Sequence, residues 1–514
     1  VKSIGDSAFA QTQATRSLKE IILPEGLETI GRWAFRYTLA TEVKLPTTMV
    51  EKNGRNAGLH KDAFRDNGGK VTLYTSNKNH LDWYKDSNYH TVVYNNLIGT
   101  GWELSDFVFD GTKLVGWSEE GNKTRLENKK LVLPETNPET GEAITEIGDR
   151  AFKIPDDEVT QLKDSVDSPN GMETVKIPET VTKIGEKAFE YNNFKTLDFP
   201  DGLKTIAFHA FHGNKLEAVD IPENATDLGG GAFSENNITA IKLPSKLEKI
   251  PQGIFSMNIR LEHVDIPKTV TEIGDTAFAG ARLTSLDIPK SVTKIGRKAF
   301  HLHHLTELTI PGNVKEIGDS AFEGTFKAIT LKKLVLEEGV EKIGEKAFKE
   351  GYIESVVLPE SLKELAPDAF IGNAGTNNDH VVVLNTSNPD HMELPAVSTD
   401  GSMTSTDGNV YQKLVFNAKW SVDCFTYDGT TITGLSEKGL KNLKYTTEIV
   451  LPDKNPDGKY ITAIGKDAFK DLGITKITLP EKLEKIEEGA FTGNSITEVT
   501  LPDSIKEVAD NAFD

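Results

Sequence analysis

A β-rich solenoid, built from coils of about 22 residues stacked in several tandem arrays, is the fold this sequence predicts, on three observations. One phrase, clearest as LTSLDIPKSVTKIGRKAF at residues 283–300, returns along the chain in altered form. Its closing aromatic recurs at Phe189, Phe211, Phe233, Phe255, Phe278, Phe300 and Phe322, in steps of 22 residues and once 23. A fixed period in this range marks a unit that buries its apolar side only against its neighbours. Two longer gaps, 88 residues after Phe64 and 99 after Phe370, resemble each other and mark where one array stops and the next starts.

Within one coil, Leu283 leads into Leu286 and Ile288, which alternate with Ser285 and Asp287. That alternation predicts a short strand with one side in the core and the other outward. Pro289 has no N–H for a ladder and ends it. Val292 and Ile295 then face the core, and Gly296 is expected to make a turn at positive φ. Ala299 permits close approach, and Phe300 is expected to stack on Phe278 and Phe322 as part of an aromatic column. No stretch inside the coil is long enough for an independent helix, so any helix there is a single turn. Acidic residues after the glycine, such as Glu186, Asp275 and Asp319, are expected to favour the N–H groups of that turn.

The pattern L-x-x-L-x-I-P-x-x-V-x-x-I-G-x-x-A-F resembles the BspA-type leucine-rich repeat of surface proteins from Gram-positive and some other bacteria and from certain protists. About two-thirds of the chain carries it directly. The resemblance implies an α/β repeat class, specifically a leucine-rich-repeat solenoid, and a cell-surface or secreted, adhesin-like role associated with virulence. Single coils depart from the pattern at Ile254 before Phe255, at Ala207 in place of the glycine, and at Glu337 in place of the proline.

The two long gaps carry matching segments. KVTLYTSNKNH at 70–80 parallels HVVVLNTSNPDH at 380–391, and DFVFDGTKLVGWSEEG at 106–121 parallels CFTYDGTTITGLSEKG at 424–439. Asp-Gly between alternating residues signals a tight β-hairpin, and a hairpin at the head of an array covers the open edge of its first coil. Each gap therefore reads as a C-terminal cap, a connection and an N-terminal cap. The resulting domains are a truncated array at 1–98, a complete one at 99–415, and the start of a further one at 416–514. The stretch VSTDGSMTSTDGN is expected to be the most flexible connection, and the one around NNLIGTG is shorter. The chain opens and closes inside the repeat, at VKSIGDSAF and EVADNAFD, which points to a segment of a longer protein with its export signal and anchor elsewhere.

The net charge of −20 disfavours a nucleic-acid partner, because phosphate contacts need clustered Lys and Arg. Cys424 is the single cysteine, so no intramolecular disulfide and no thiolate metal site forms. Neither an H-E-x-x-H helix nor a phosphate loop is present, and GLSEKG around Ser436 misses the G-x-S-x-G spacing. His209 and His212, at i and i+3, and the group His301, His303 and His304 raise the question of metal ligation. Both sit at coil edges where polar residues are expected anyway, so no metal, cofactor or catalytic residue is predicted, and the chain is read as not an enzyme.

The outward strand positions carry the functional reading. A track of small residues runs beside a mostly acidic one, containing Asp198, Asp220, Asp265 and Asp287 with His263 nearby, and it turns apolar at Val335 and Val357. Asp is a poor strand residue and neighbouring strands lie about 4.8 Å apart, so like charges there need an offset. Solvation, with Lys242 dividing the acids, is one explanation. The other is a concave face that binds a basic or hydroxyl-rich partner with the two valines as an apolar anchor: a host extracellular-matrix or cell-surface protein or glycan, or a microbial one. Self-association is compatible with it. An accessory targeting region of a larger secreted enzyme, a glycosidase or protease, and a passive spacer are the competing readings.

Overall fold

The computed structural model describes all residues except 50–57, 82, 84–86, 163, 164, 325–330, 374–380, 396 and 406–409, and the backbone alone at 161, 162 and 165–167. Two units result, Val1–Leu283 and Thr284–Asp514.

In the first unit, two-residue strands from successive coils pair in parallel. Glu146–Ile147, Lys183–Ile184, Thr205–Ile206 and Asp227–Leu228 form one ladder in which Ile147, Ile184, Ile206 and Leu228 are in register and buried. The polar residue before each faces outward, so a two-residue period suffices to split core from solvent. On another side of the coils, Lys130–Val132 pairs with Thr174–Lys176 and Ala218–Asp220 with Ala240–Lys242. Glu42–Lys44, Val71–Thr75 and His90–Tyr94 make a three-stranded parallel sheet earlier in the chain.

The second unit repeats the scheme. Lys294–Ile295, Glu316–Ile317, Lys342–Ile343 and Glu364–Leu365 form the short-strand ladder. Glu307–Ile310 pairs with Lys333–Leu336, and Ser355–Val357 with Val382–Thr386 and then Val410–Phe416. The last coils pair Thr431–Leu435, Ala463–Ile464, Lys485–Ile486 and Glu507–Val508.

Aromatic columns run through both units as the sequence predicts. Phe152, Phe189, Phe211, Phe233, Phe255 and Phe278 stack at centroid spacings of 5.3–5.8 Å. Phe300, Phe322, Phe348 and Phe370 do the same at 5.2–5.7 Å. These separations suit offset stacking. Edge-on rings close the column ends: His90 against Phe64, Trp117 against Phe152, and Phe425 against Phe469. The two predicted hairpins, Phe107–Asp110 with Lys113–Trp117 and Phe425–Asp428 with Thr431–Leu435, supply Trp117 and Phe425, and their second strands pair in parallel with the short strands Glu146–Ile147 and Ala463–Ile464. Each is followed by a short helix, Glu119–Glu127 or Glu437–Leu443, capped by Ser118 or Ser436.

A buried asparagine three residues after the aromatic is a second spine. In Asn214, Asn236 and Asn258, Nδ2 donates to the Phe carbonyls of its own and the preceding coil, and Oδ1 accepts the backbone N–H of Phe194, Leu216 or Ile238. These bonds satisfy backbone groups that a coil without regular helix or sheet would otherwise bury unpaired.

Two expectations within the coil are corrected. The conserved-phrase glycine does not sit at positive φ: Gly185, Gly274 and Gly318 lie outside that region, and a Cβ on them would stand 2.6–2.7 Å from backbone atoms of the preceding coil. The left-handed position is two residues later, at Arg150 (φ 56°), Lys187 (55°), Lys298 (55°) and Lys346 (56°). The acidic residue after the glycine caps a different turn from its own. Oδ1 of Asp149 accepts the N–H of Glu186, one coil on, and Oδ1 of Asp319 that of Glu345.

The connection expected to be most flexible, 397–409, is partly structured. Ser402–Thr404 pairs antiparallel with Val410–Phe416, Met403 is buried, and the Asp400 carboxylate accepts from the Ser402 N–H and from the Ser398 and Ser402 hydroxyls. Residues 406–409 of that stretch lie outside the described residues. Both TSN segments end their coils alike. Asn77 and Asn388 cap single 3₁₀ turns, and the buried His80 and His391 hydrogen-bond through Nδ1 to a threonine hydroxyl and donate from Nε2 to a carbonyl of the preceding coil.

Candidate functional site

The strand positions read as outward are outward. In the first unit Asp198, Asp220, His263 and Asp265 are all exposed, flanking half-buried or buried Leu197, Val219 and Val264. The acids there are not a continuous strip. The ladder places Lys242 opposite Asp220, with Nζ 3.2 Å from Oδ1, and His263 Nε2 lies 3.0 Å from Asp265 Oδ1 on the same extended segment. Exposed pairs of this kind contribute about 0–1 kcal/mol. They offset the like-charge cost without removing the carboxylates from solvent.

In the second unit Asp287 is exposed, and Lys333 pairs with Glu307 at 3.3 Å in the adjacent strand. Beyond it the face changes character. Val335 is 40% and Val357 70% exposed. Val335 lies opposite Thr309, while on the neighbouring strand Val357 lies opposite Asn385, and Asn385 opposite Val415. Val383, opposite Ser355 and Lys413, adds a further exposed methyl pair one step along the strand. Val383 and Val415 were not anticipated, although VVVLNTS and KLVF show the same alternation.

The first unit also holds an open groove of about 880 Å³ beside Glu42–Lys44, lined by Ile21, Leu23, Tyr74 and Glu103. Lys44 Nζ and Glu103 form an ion pair across it at 2.7 Å.

The histidines divide by role. His303 takes the place of the spine asparagine: Nε2 donates to the Phe322 carbonyl and Nδ1 accepts from Leu305 N–H, and burial pushes its pKa down to about 4. His301 lies 3.6 Å from Glu323, which also holds Lys349. His209 and His212 stand stacked at 4.5 Å beside Glu190, and these three are the one group among the described residues with ligand atoms all within 4.8 Å of one another. Cys424 is buried beneath the helix Glu437–Leu443, 3.6 Å from Asn442 Nδ2. Ser436 Oγ accepts the Gly439 N–H and donates to Asp423 O, a capping role.

The sequence matches the family described as the BspA type leucine rich repeat region, in six copies, over residues 1–57, 160–281, 254–377 and 433–514, more than half of the chain. The chain belongs to the BspA-type leucine-rich repeat family. Solved structures similar to it include a leucine-rich repeat protein from Bacteroides ovatus at 18% identity, covering 79% of this chain and 89% of that one with a TM-score of 0.38. The pneumococcal vaccine antigen PcpA is 18% identical over 79% of this chain and 92% of its own, with a TM-score of 0.39. A leucine rich cell surface protein from Faecalibacterium prausnitzii is 19% identical over 79% and 92%, with a TM-score of 0.30. Comparison with curated proteins finds no match. BspA-type coils explain the phrase itself; the exposed strand residues vary from coil to coil and are where this member differs from a bare scaffold.

Proposed function

We propose that this chain is a non-enzymatic, cell-surface or secreted binding protein that presents its strand face to a host or microbial protein or glycan. The observation that carries this reading is the exposed apolar row. Val357 keeps 70% of its surface in water, with Val335 on the neighbouring strand and Val415 and Val383 beyond, on an otherwise charged and polar surface. Valines on solvated strands gain nothing for the fold that Thr would not supply, and an apolar patch rimmed by polar groups favours a partner that covers it. The carboxylates of Asp198, Asp220, Asp265 and Asp287 add electrostatic selectivity for a basic or hydroxyl-rich surface, weakened by salt. The three-array organisation, 1–98, 99–415 and 416–514, is part of the same proposal: the edge-on rings of His90, Trp117 and Phe425 stand where one column gives way to the next.

The test is binding of the chain to immobilised matrix proteins, glycans and whole bacteria. It is repeated with Val335→Asp and Val357→Asp together, and with the four aspartates changed to Asn. Loss of binding in the valine pair, with an unchanged melting curve, supports the reading. Binding untouched by both sets removes this face from consideration, and no binding by the parent chain leaves the spacer as the better account.

A further inference from the structure

We propose that Glu190, His209 and His212 form a binding site for a transition-metal cation, with Zn²⁺ as the ion that fits the donor set. Two imidazoles and one carboxylate are a recurrent zinc ligand set, and the borderline-soft ion prefers such nitrogen-rich donors. Glu190 follows Phe189 directly, His212 follows Phe211 directly, and His209 occupies the left-handed position two residues before Phe211, at φ 54°. Stacking the coils therefore brings a residue from one coil against two from the next. The 22-residue period does what an i, i+4 spacing does on a helix.

Several features favour a cation here, and the adjustment it requires is a turn of the His209 ring out of its 4.5 Å stack on His212, so that both in-plane lone pairs converge. Glu190 is 2% exposed; its Oε2 is ion-paired with Lys153 Nζ at 2.9 Å, and its Oε1 faces the buried His209 Nδ1, which makes no hydrogen bond of good geometry. His209 Nδ1 is already 3.5 Å from Glu190 Oε1, close to the ~3.3 Å separation of donors around tetrahedral zinc. His212 is oriented from behind. The Ser234 hydroxyl donates to Gly231 O at 2.8 Å, so its oxygen accepts from His212 Nδ1–H at 2.7 Å, leaving the Nε2 lone pair as the ligand. Gly231 is required beside His209, because a Cβ there would stand 2.3 Å from the His209 ring. Lys153 and Lys187 compete for the same carboxylate, at 2.9 and 3.4 Å, and an entering ion displaces them towards solvent along their flexible stems.

The experiment uses the full chain stripped with chelator, then titrated with Zn²⁺ by calorimetry and with Co²⁺ by visible absorption. One high-affinity equivalent and tetrahedral Co²⁺ bands are expected. Glu190→Gln and His212→Gln should each weaken binding by about 100-fold or more, and Ser234→Ala, which only orients the ring, by about 10–100-fold. His209→Gln, at a partly exposed position, serves where a buried variant fails to fold. His301→Gln should change nothing. No binding at millimolar zinc overturns the proposal and leaves a metal-free ion-pair cluster; so does binding that survives Glu190→Gln and His209→Gln unchanged.

Discussion

Replacing Asn236 by Ala should open the stack at one coil, and the structure sets the size of the effect. The side chain is buried, and it makes four hydrogen bonds: Nδ2 to Phe211 O at 3.0 Å, Phe233 O at 3.2 Å and Ser234 O at 3.0 Å, and Oδ1 from Leu216 N–H at 3.0 Å. The three carbonyls keep a partner each, since Asn214 also donates to Phe211 O, Asn258 to Phe233 O and the Gly213 N–H to Ser234 O. Only the Leu216 N–H loses its acceptor outright. An orphaned buried donor costs about 1–3 kcal/mol and each shared bond lost about 0.5–1 kcal/mol, so the total is at least about 2 kcal/mol. Because a solenoid unfolds region by region, hydrogen exchange is the suitable assay. The Leu216 amide and its neighbours should exchange at least about 30-fold faster, the factor that 2 kcal/mol represents. Unchanged exchange at Leu216, with global stability also unchanged, would show that the asparagine row is decoration and that the rings alone hold the coils.

Phe300→Ala should cost about 3–5 kcal/mol as a fully buried truncation, against about 0.5 kcal/mol or less for Ser285→Ala, and comparable melting losses would contradict the assigned faces. Gly318→Ala should destabilise strongly, since its Cβ would lie 2.7 Å from Arg297 N, whereas Lys298→Gly, at φ 55°, should be neutral or stabilise by up to about 1 kcal/mol; the reverse order of melting temperatures would restore the positive-φ explanation. Acid should weaken the fold in a defined window. Burial holds the pKa values of His90, His212 and His303 near 4, so between the unfolded value of 6.5 and about 4 the unfolded chain binds more protons and stability falls as pH drops, by at most about 3 kcal/mol per histidine. Glu190 adds to the loss below 4.5: burial opposes its ionisation, but His209 and the two lysines hold its pKa down to about 2. His303→Asn, which restores the usual spine residue, should remove about a third of the fall in melting temperature between pH 7 and 5, His90 and His212 keeping the rest, and a parent chain already flat over that range would refute the assignment.

The coil was legible because period-two alternation and the recurring Ala-Phe each have a single structural reading. The residues assigned outward, Asp198, Asp220, His263, Asp265, Ser285, Asp287, Val335 and Val357, are all exposed. The glycine was misread because absence of a Cβ serves two purposes, unusual dihedrals and close approach, and the sequence does not distinguish them. Lys187 and Lys298 gave no sign of left-handed backbone, since their turn is imposed by hydrogen bonds to the next coil, such as Lys187 N–H to Phe208 O and Lys298 N–H to Asp319 O. Asn236 and its equivalents were visible at a fixed offset from the aromatic, but polar residues there read as surface. At the candidate face, exposure followed from alternation, while partners such as Lys242 for Asp220 depend on register between coils. Glu190 escaped notice beside His209 and His212 because it precedes them by a full coil.

Gln412 has a use beyond this molecule. In the interior, the Phe N–H donates to the carbonyl just before the next coil's aromatic, as Phe322 does to Ala347, Phe348 to Ala369 and Phe233 to Ile254. At Phe370 the acceptor is Gln412 Oε1, whose amide also donates to Ala366 O. One carboxamide therefore impersonates a missing turn of chain. Transplanted with its strand, it is a stopper that could seal a solenoid of this type at any chosen length, provided the cut falls after a whole period.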